Sequence, residues 1–161
     1  MTKTIGIDFG DCFFRLSHLD GRIPKIIADD SGRTGFPSKV SFLPGGRCRV
    51  GFDAEMFGIP EDTVLHPMTL VGKSASELLA LNGRYAHEII QERNWILINA
   101  NRVFVSVDEV LIALFAHIKE LAEKSLRAKV ESAVIATGTA VTASLDTILL
   151  DLMATHPYSK N

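Results

Sequence analysis

"TIGIDFGDCFFRL", residues 4–16, sets two short apolar runs around one glycine. Ile5, Gly6 and Ile7 read as a strand, Asp8 closes it, Gly10 makes a tight turn, and residues 13–16 read as the returning strand. An acidic residue and a glycine at the end of an apolar strand are how several folds open a phosphate-binding hairpin. Asp11 stands inside that turn, so a second carboxylate lies where a phosphate would sit. Moving outward, Asp20-Gly21 is a two-residue hairpin signal, because both residues tolerate positive φ. Residues 23–28 then form a third strand, and the Gly-, Ser- and Asp-rich segment 29–38 reads as loop. Residues 39–43 and 49–52 are a fourth and fifth strand around the turn Pro44-Gly45-Gly46.

The middle of the chain is less regular. A short helix starts at Phe52 and is stopped by Gly58 and Pro60, and a second covers 74–81 and ends at Asn82-Gly83. Residues 86–91, 95–99 and 102–106 are short β-branched or aromatic runs between turns, which predicts a small antiparallel meander. "SVDE" at 106–109 is a capping box, with Ser at the N-cap and Glu three residues on. Val110, Leu111, Leu114, Phe115, Ile118, Leu121 and Ala122 behind it keep helical spacing to about residue 126. Residues 132–137 read as a buried-type strand, and Thr142 caps another amphipathic helix carrying Leu145, Ile148, Leu149, Leu152 and Met153, which Pro157 ends. Hairpins followed by α, β and α make the fold mixed α/β with two long amphipathic helices.

The composition limits the function classes. The chain has 161 residues, 47% of them hydrophobic and 22% charged, with a formal net charge of -2. That is enough for one domain with a real core and gives no basic face for nucleic acid or a membrane surface. No basic-apolar-small leader opens the sequence, and no apolar run reaches the ~18 residues of a membrane span, so the expected location is cytoplasmic. Two cysteines, Cys12 and Cys48, are too few for a disulfide scaffold, and nothing in their spacing argues for a pair. The histidines His18, His66, His87, His117 and His156 are scattered without metal-ligand spacing, so each reads as an ordinary surface or core histidine. No nucleophile motif appears. The basic, glycine-rich "PGGRCRVG" at 44–51 reads as a solvated hairpin turn before an anion site.

The order of these motifs resembles the N-terminal part of the ATPase domain of the heat shock protein 70 chaperones, an actin-like, ribonuclease H-like fold. The family's opening Gly-Ile-Asp-Leu-Gly-Thr-Thr is met by "GIDFGDC" at 6–12. Its Asn-(Asp/Glu)-x-Gly-x-Arg-x-x-Pro-Ser-x-Val-x-Phe is met by "IIADDSGRTGFPSKVSF" at 26–42, and its Val-Gly-x-x-Ala by "VGFDA" at 50–54. Its Asn-Thr-Val segment ending Arg-Leu-Ile-Gly-Arg is met by "DTVLHPMTLVGKS" at 62–74. "VSVDEVLIALFAHIKELAEKSLRAKVESAVIATGTA" at 105–140 follows its long helix and the next strand. Each motif alone is weak; the ordered set, from about Ile5 to about Leu145, is specific. The resemblance implies a single domain, 1–161, as a partial nucleotide-binding lobe. About 1–38 and 107–155 would be its core subdomain and about 39–106 an inserted one.

The departures carry the functional expectation. The resemblance implies ATP or ADP with magnesium at the first loop, with Asp8 acting on the metal indirectly and Asp8, Gly10, Asp11 and Cys12 as the phosphate loop. Asp11 and Cys12 replace the two threonines that contact phosphate in the family, and a carboxylate there repels phosphate, more so in a low-dielectric cleft. Met68 replaces the catalytic lysine and Thr69 the arginine after it; Gly138 replaces a proline thought to relay the nucleotide state. Methionine gives no charge to a developing phosphoryl oxygen. The second phosphate loop, the adenosine-binding segment and the substrate-binding domain are absent from these residues, and the ending "MATHPYSKN" reads as a finished chain. The expectation is a degenerate or fragmentary chaperone homologue with a remnant phosphate loop, no catalytic residue in place, and little or no ATPase activity. The alternative is an interaction module that binds itself, a chaperone or a co-chaperone without nucleotide. A third reading is a weak ATPase completed by oligomerisation. Among single residues, Asp8 is either a metal-side carboxylate or a plain strand-end acid, Asp11 caps its own turn, and Cys12 is a small buried hydrophobe.

Overall fold

The computed structural model describes residues 2–100 and 103–137. Three strands open it, β1 (Thr2–Phe9), β2 (Phe13–Asp20) and β3 (Ile23–Ile26), joined by turns at 10–12 and at Gly21-Arg22, one residue on from the expected Asp20-Gly21 because Asp20 still pairs with Ile23. The loop after β3 contains a strand that the sequence hides, β4 (Gly35–Pro37). It pairs with the first half of β2, Phe14 opposite Phe36. Those rings stack at 5.3 Å, both fully buried, and this contact converts a Gly-rich segment into a strand. Pro37 is tolerated because β4 pairs on one side only among the described residues.

A second sheet follows from β5 (Val40–Leu43), β6 (Arg47–Val50) and, after helix α1 (Phe52–Phe57), the two-residue β7 (Thr63–Val64). Two short 3-10 turns, at Pro60–Asp62 and Pro67–Thr69, and β7 are further features that spacing did not reveal. Helix α2 (Ala75–Leu79) begins at a Ser74/Glu77 capping box. The expected meander is present as β8 (Glu88–Glu92), β9 (Trp95–Ala100) and β10 (Val103–Ser106).

The long helix α3 (Val107–Leu126) is capped as its sequence requires. Ser106 Oγ accepts from the Glu109 amide at 3.2 Å, and the Glu109 carboxylate accepts from the Ser106 amide at 2.8 Å. Its buried face is Val110, Leu111, Ala113, Leu114, Phe115, Ile118 and Ala122. That face meets Ile5, Ile7 and Phe9 of β1 in one core, with the Phe9 and Phe115 rings 5.1 Å apart. The helix ends at Arg127 in the left-handed region, φ 50°, and Glu123 Oε1 accepts the Val130 amide at 2.9 Å to steer the chain into β11 (Lys129–Thr137).

β11 runs parallel to β1, giving the sheet order β11-β1-β2-β3 with β4 also on β2. One expectation needs correction. The buried-type strand is half covered: only Val130 is fully buried, and Val134 is 69% exposed. One face of β11 packs with the core and the other does not. Among the described residues there is one long helix, α3; the expected second, from Thr142, lies outside them, as does Gly138.

Candidate functional site

The turn between β1 and β2 is built for close approach. The Gly10 amide donates to the Phe13 carbonyl at 3.0 Å, and a Cβ on Gly10 would lie 2.8 Å from that same oxygen. Only glycine fits without moving the backbone. Ser38, itself buried, fixes the turn from one side: its amide donates to the Cys12 carbonyl at 2.8 Å and its hydroxyl to the Gly10 carbonyl at 3.0 Å.

The side chains of the turn point to different neighbours. Asp8 lies on the open face of the sheet, directly opposite Arg15, and the two form an ion pair at 3.5 Å with both side chains more than half exposed. Such a pair contributes little to stability. Asp11 caps a turn, though not its own. Its carboxylate reaches across 58 positions of sequence to the Pro67–Thr69 turn. There Oδ1 accepts from the Thr69 amide at 3.1 Å and Oδ2 from the Thr69 hydroxyl at 3.2 Å. His66 Nδ1 lies 3.2 Å from Oδ2. His66 holds φ 52°, an uncommon backbone state for a residue with a side chain.

Cys12 is exposed, not buried as its type suggested, and its Sγ lies 3.6 Å from the same His66 Nδ1. The Asp11 carboxylate and the Cys12 thiol thus approach the same ring nitrogen of His66. Neither Cys12 nor Cys48 forms a disulfide.

Two further contacts hold the chain just before the segment that receives Asp11. Tyr85 donates its hydroxyl to the Leu65 carbonyl, and His87 Nε2 meets the Thr63 carbonyl at 2.7 Å. Burial pushes the Tyr85 hydroxyl well above the ordinary tyrosine range, and the Asp11 charge adds to that shift. Met68, between His66 and Thr69, is 6% exposed and belongs to the hydrophobic core. Among the described residues no group of three or more His, Cys, Asp or Glu side chains is placed to hold a metal ion. A groove of about 550 Å³ lies elsewhere, between α2, β9 and the start of α3.

The model of the family described as Hsp70 protein matches residues 4–140, most of the chain. The chain belongs to the Hsp70 family. Curated relatives agree: a chaperone protein HscA homolog of Polynucleobacter asymbioticus is 28% identical over 133 residues, which are 81% of this chain and 21% of that protein. The HscA homolog of Bordetella pertussis is 27% identical over the same shares. The chain thus spans about a fifth of the length of the Hsp70-family relatives it matches. The partial actin-like ATPase lobe expected from the motifs is the fold class that this membership and the mixed α/β sheets support. His66 and Tyr85 are the site neighbours that sequence reading missed. No spacing links them to Asp11, since their proximity is made by the fold.

Proposed function

We propose that this Hsp70-family lobe serves a chaperone system as a binding piece and has little or no ATPase activity of its own. The observation that carries the reading is Met68: at the position where the resemblance expects a catalytic lysine, the side chain is apolar and buried in the core. Three further features support it. Asp11 brings a carboxylate to the turn that phosphate would enter, Asp8 is engaged by Arg15, and Cys12 offers no hydroxyl. The donor chemistry of Asp8, Gly10, Asp11 and Cys12 therefore does not fit ATP or ADP with magnesium. We read about 1–38 with 107–155 as one subdomain and about 39–106 as an insertion. The first sheet draws its strands from the flanking segments and the other two sheets from the middle. A cytoplasmic location fits a chain in which no helix among the described residues is long and apolar enough to cross a membrane.

A second reading, an interaction module acting without nucleotide, is favoured by a specific surface. Phe13, Leu19, Ile26 and Val134 are each 46–69% exposed, and strand alternation puts all four on the face of the first sheet that α3 does not cover. Phosphate release from Mg-ATP separates the readings from a working enzyme. We expect no turnover above background, with or without a J-domain-type co-chaperone. Turnover that survives purification to homogeneity would overturn the proposal.

A further inference from the structure

The Asp11 carboxylate is received by two donors from one short segment, the Thr69 amide and the Thr69 hydroxyl, with the His66 imidazole close beside it. Such a convergent set is what proteins use to hold an oxyanion. Here the anion belongs to the chain itself and arrives on a turn whose carbonyls are already fixed by Ser38. The receiving segment is in turn fixed by Tyr85 and His87, which bond to the Leu65 and Thr63 carbonyls before it. Asp11 is thus a polar bridge between two rigidly supported turns that stand 58 positions apart in sequence.

We propose that Asp11 is a built-in clasp, an intramolecular anion that closes the β1–β2 turn onto the 66–69 turn with no ligand present. The proposal deepens the functional reading and rests on it in one respect: no nucleotide phosphate competes for these donors. The clasp makes two demands of the residues around it. The receiving turn must present donors to the carboxylate, and the side chain between His66 and Thr69 must not carry a positive charge that would draw the carboxylate away. The Thr69 amide, shared with the His66 carbonyl, and the Thr69 hydroxyl meet the first demand, and the buried, uncharged Met68 meets the second. An external oxyanion can enter only by displacing Asp11, which makes the contact autoinhibitory.

Amide hydrogen exchange on the full chain tests this, followed residue by residue in NMR spectra. The reporters are Thr69, Leu70 and Val71, whose amides close the turn on the His66, Pro67 and Met68 carbonyls. Asp11→Ala is expected to speed their exchange about tenfold, the effect of losing one charge-assisted hydrogen bond of about 1.4 kcal/mol. Amides of β1 and β11 keep their wild-type rates. Sodium acetate or inorganic phosphate slows the three amides again in Asp11→Ala and does nothing in the wild-type chain. Asp11→Asn, which keeps an acceptor and loses the charge, falls between the two. Unchanged exchange at 69–71 in Asp11→Ala overturns the clasp. Should Asp11→Ala fail to fold, Asp11→Asn and His66→Ala decide, and wild-type rates at 69–71 in both overturn it equally. Protection of wild-type 69–71 by Mg-ATP is a separate outcome. It overturns the functional reading, while the clasp is judged on the Asp11 variants alone.

Discussion

Replacing Met68 by lysine restores the residue that the family resemblance expects, but it places a charge in an apolar core. The Met68 side chain is 6% exposed and sits in that core with Val64, Leu70 and Leu111. An ammonium there loses its hydration, so its pKa falls. Each unit below the ordinary value of about 10.4 costs about 1.4 kcal/mol, so a lysine forced to be neutral near pH 7 costs about 4–5 kcal/mol. A flexible stem that reaches partly toward water recovers some of this, leaving an expected loss of about 2–4 kcal/mol out of a total of about 5–15. Urea unfolding of Met68→Lys beside Met68→Leu measures it. The leucine variant keeps volume and polarity and is expected within about 1.5 kcal/mol of wild type. The pH dependence identifies the cause. The folded lysine has the lower pKa, so the folded state binds fewer protons than the unfolded one, and stability rises with pH between the two values. The deficit of Met68→Lys therefore shrinks from pH 7 toward pH 10. A variant as stable as wild type with no such pH dependence would refute the placement of Met68 in the core, and ATP turnover by this single variant would refute the functional reading.

The same geometry sets three further outcomes. Gly10→Ala drives a methyl group to 2.8 Å from the Phe13 carbonyl; the backbone must shift, and thermal unfolding is expected to show a loss of about 1–3 kcal/mol. Ser106→Ala removes the acceptor for the Glu109 amide at the start of α3, and urea unfolding is expected to register about 0.5–2 kcal/mol. Tyr85 titrates above the ordinary tyrosine range because it is buried and faces Asp11. Its folded pKa is raised, so the stabilisation is complete below the unfolded value of about 10 and is lost as pH rises beyond it. Ultraviolet titration of Asp11→Asn is expected to bring the Tyr85 transition down without returning it to the ordinary range, because burial is the larger cause.

Much of the architecture was legible because local signals and tertiary demands agree. The Ser106/Glu109 box and the apolar spacing behind it define α3, and both belong to the sequence itself. The hairpin around Gly10 was legible for the same reason, since its glycine answers a local steric demand. β4 was not, because its strand state comes from Phe36 packing on Phe14, a contact that Gly35 and Pro37 conceal. The site was legible in its first half only. Asp11 and Met68 stood out against the family pattern, but a substitution pattern does not say where a side chain goes. That Asp11 binds Thr69, 58 positions away and beside His66, and that Met68 turns inward, are facts of packing. Cys12 departs from expectation for a related reason: cysteine is usually buried, and here the turn is held by its backbone while the thiol faces out beside His66.

Nucleotide is the decisive ligand for the proposed function, in which the Asp8–Cys12 turn does not hold its phosphates. Thermal unfolding with and without saturating Mg-ATP and Mg-ADP tests this most directly, because any ligand that binds only the folded chain raises the midpoint, by about 2.7 kcal/mol of stability at a hundredfold excess over Kd. Coincident unfolding curves are predicted at every nucleotide concentration. A midpoint that climbs with Mg-ATP, and does so less in Gly10→Ala, would contradict the proposal.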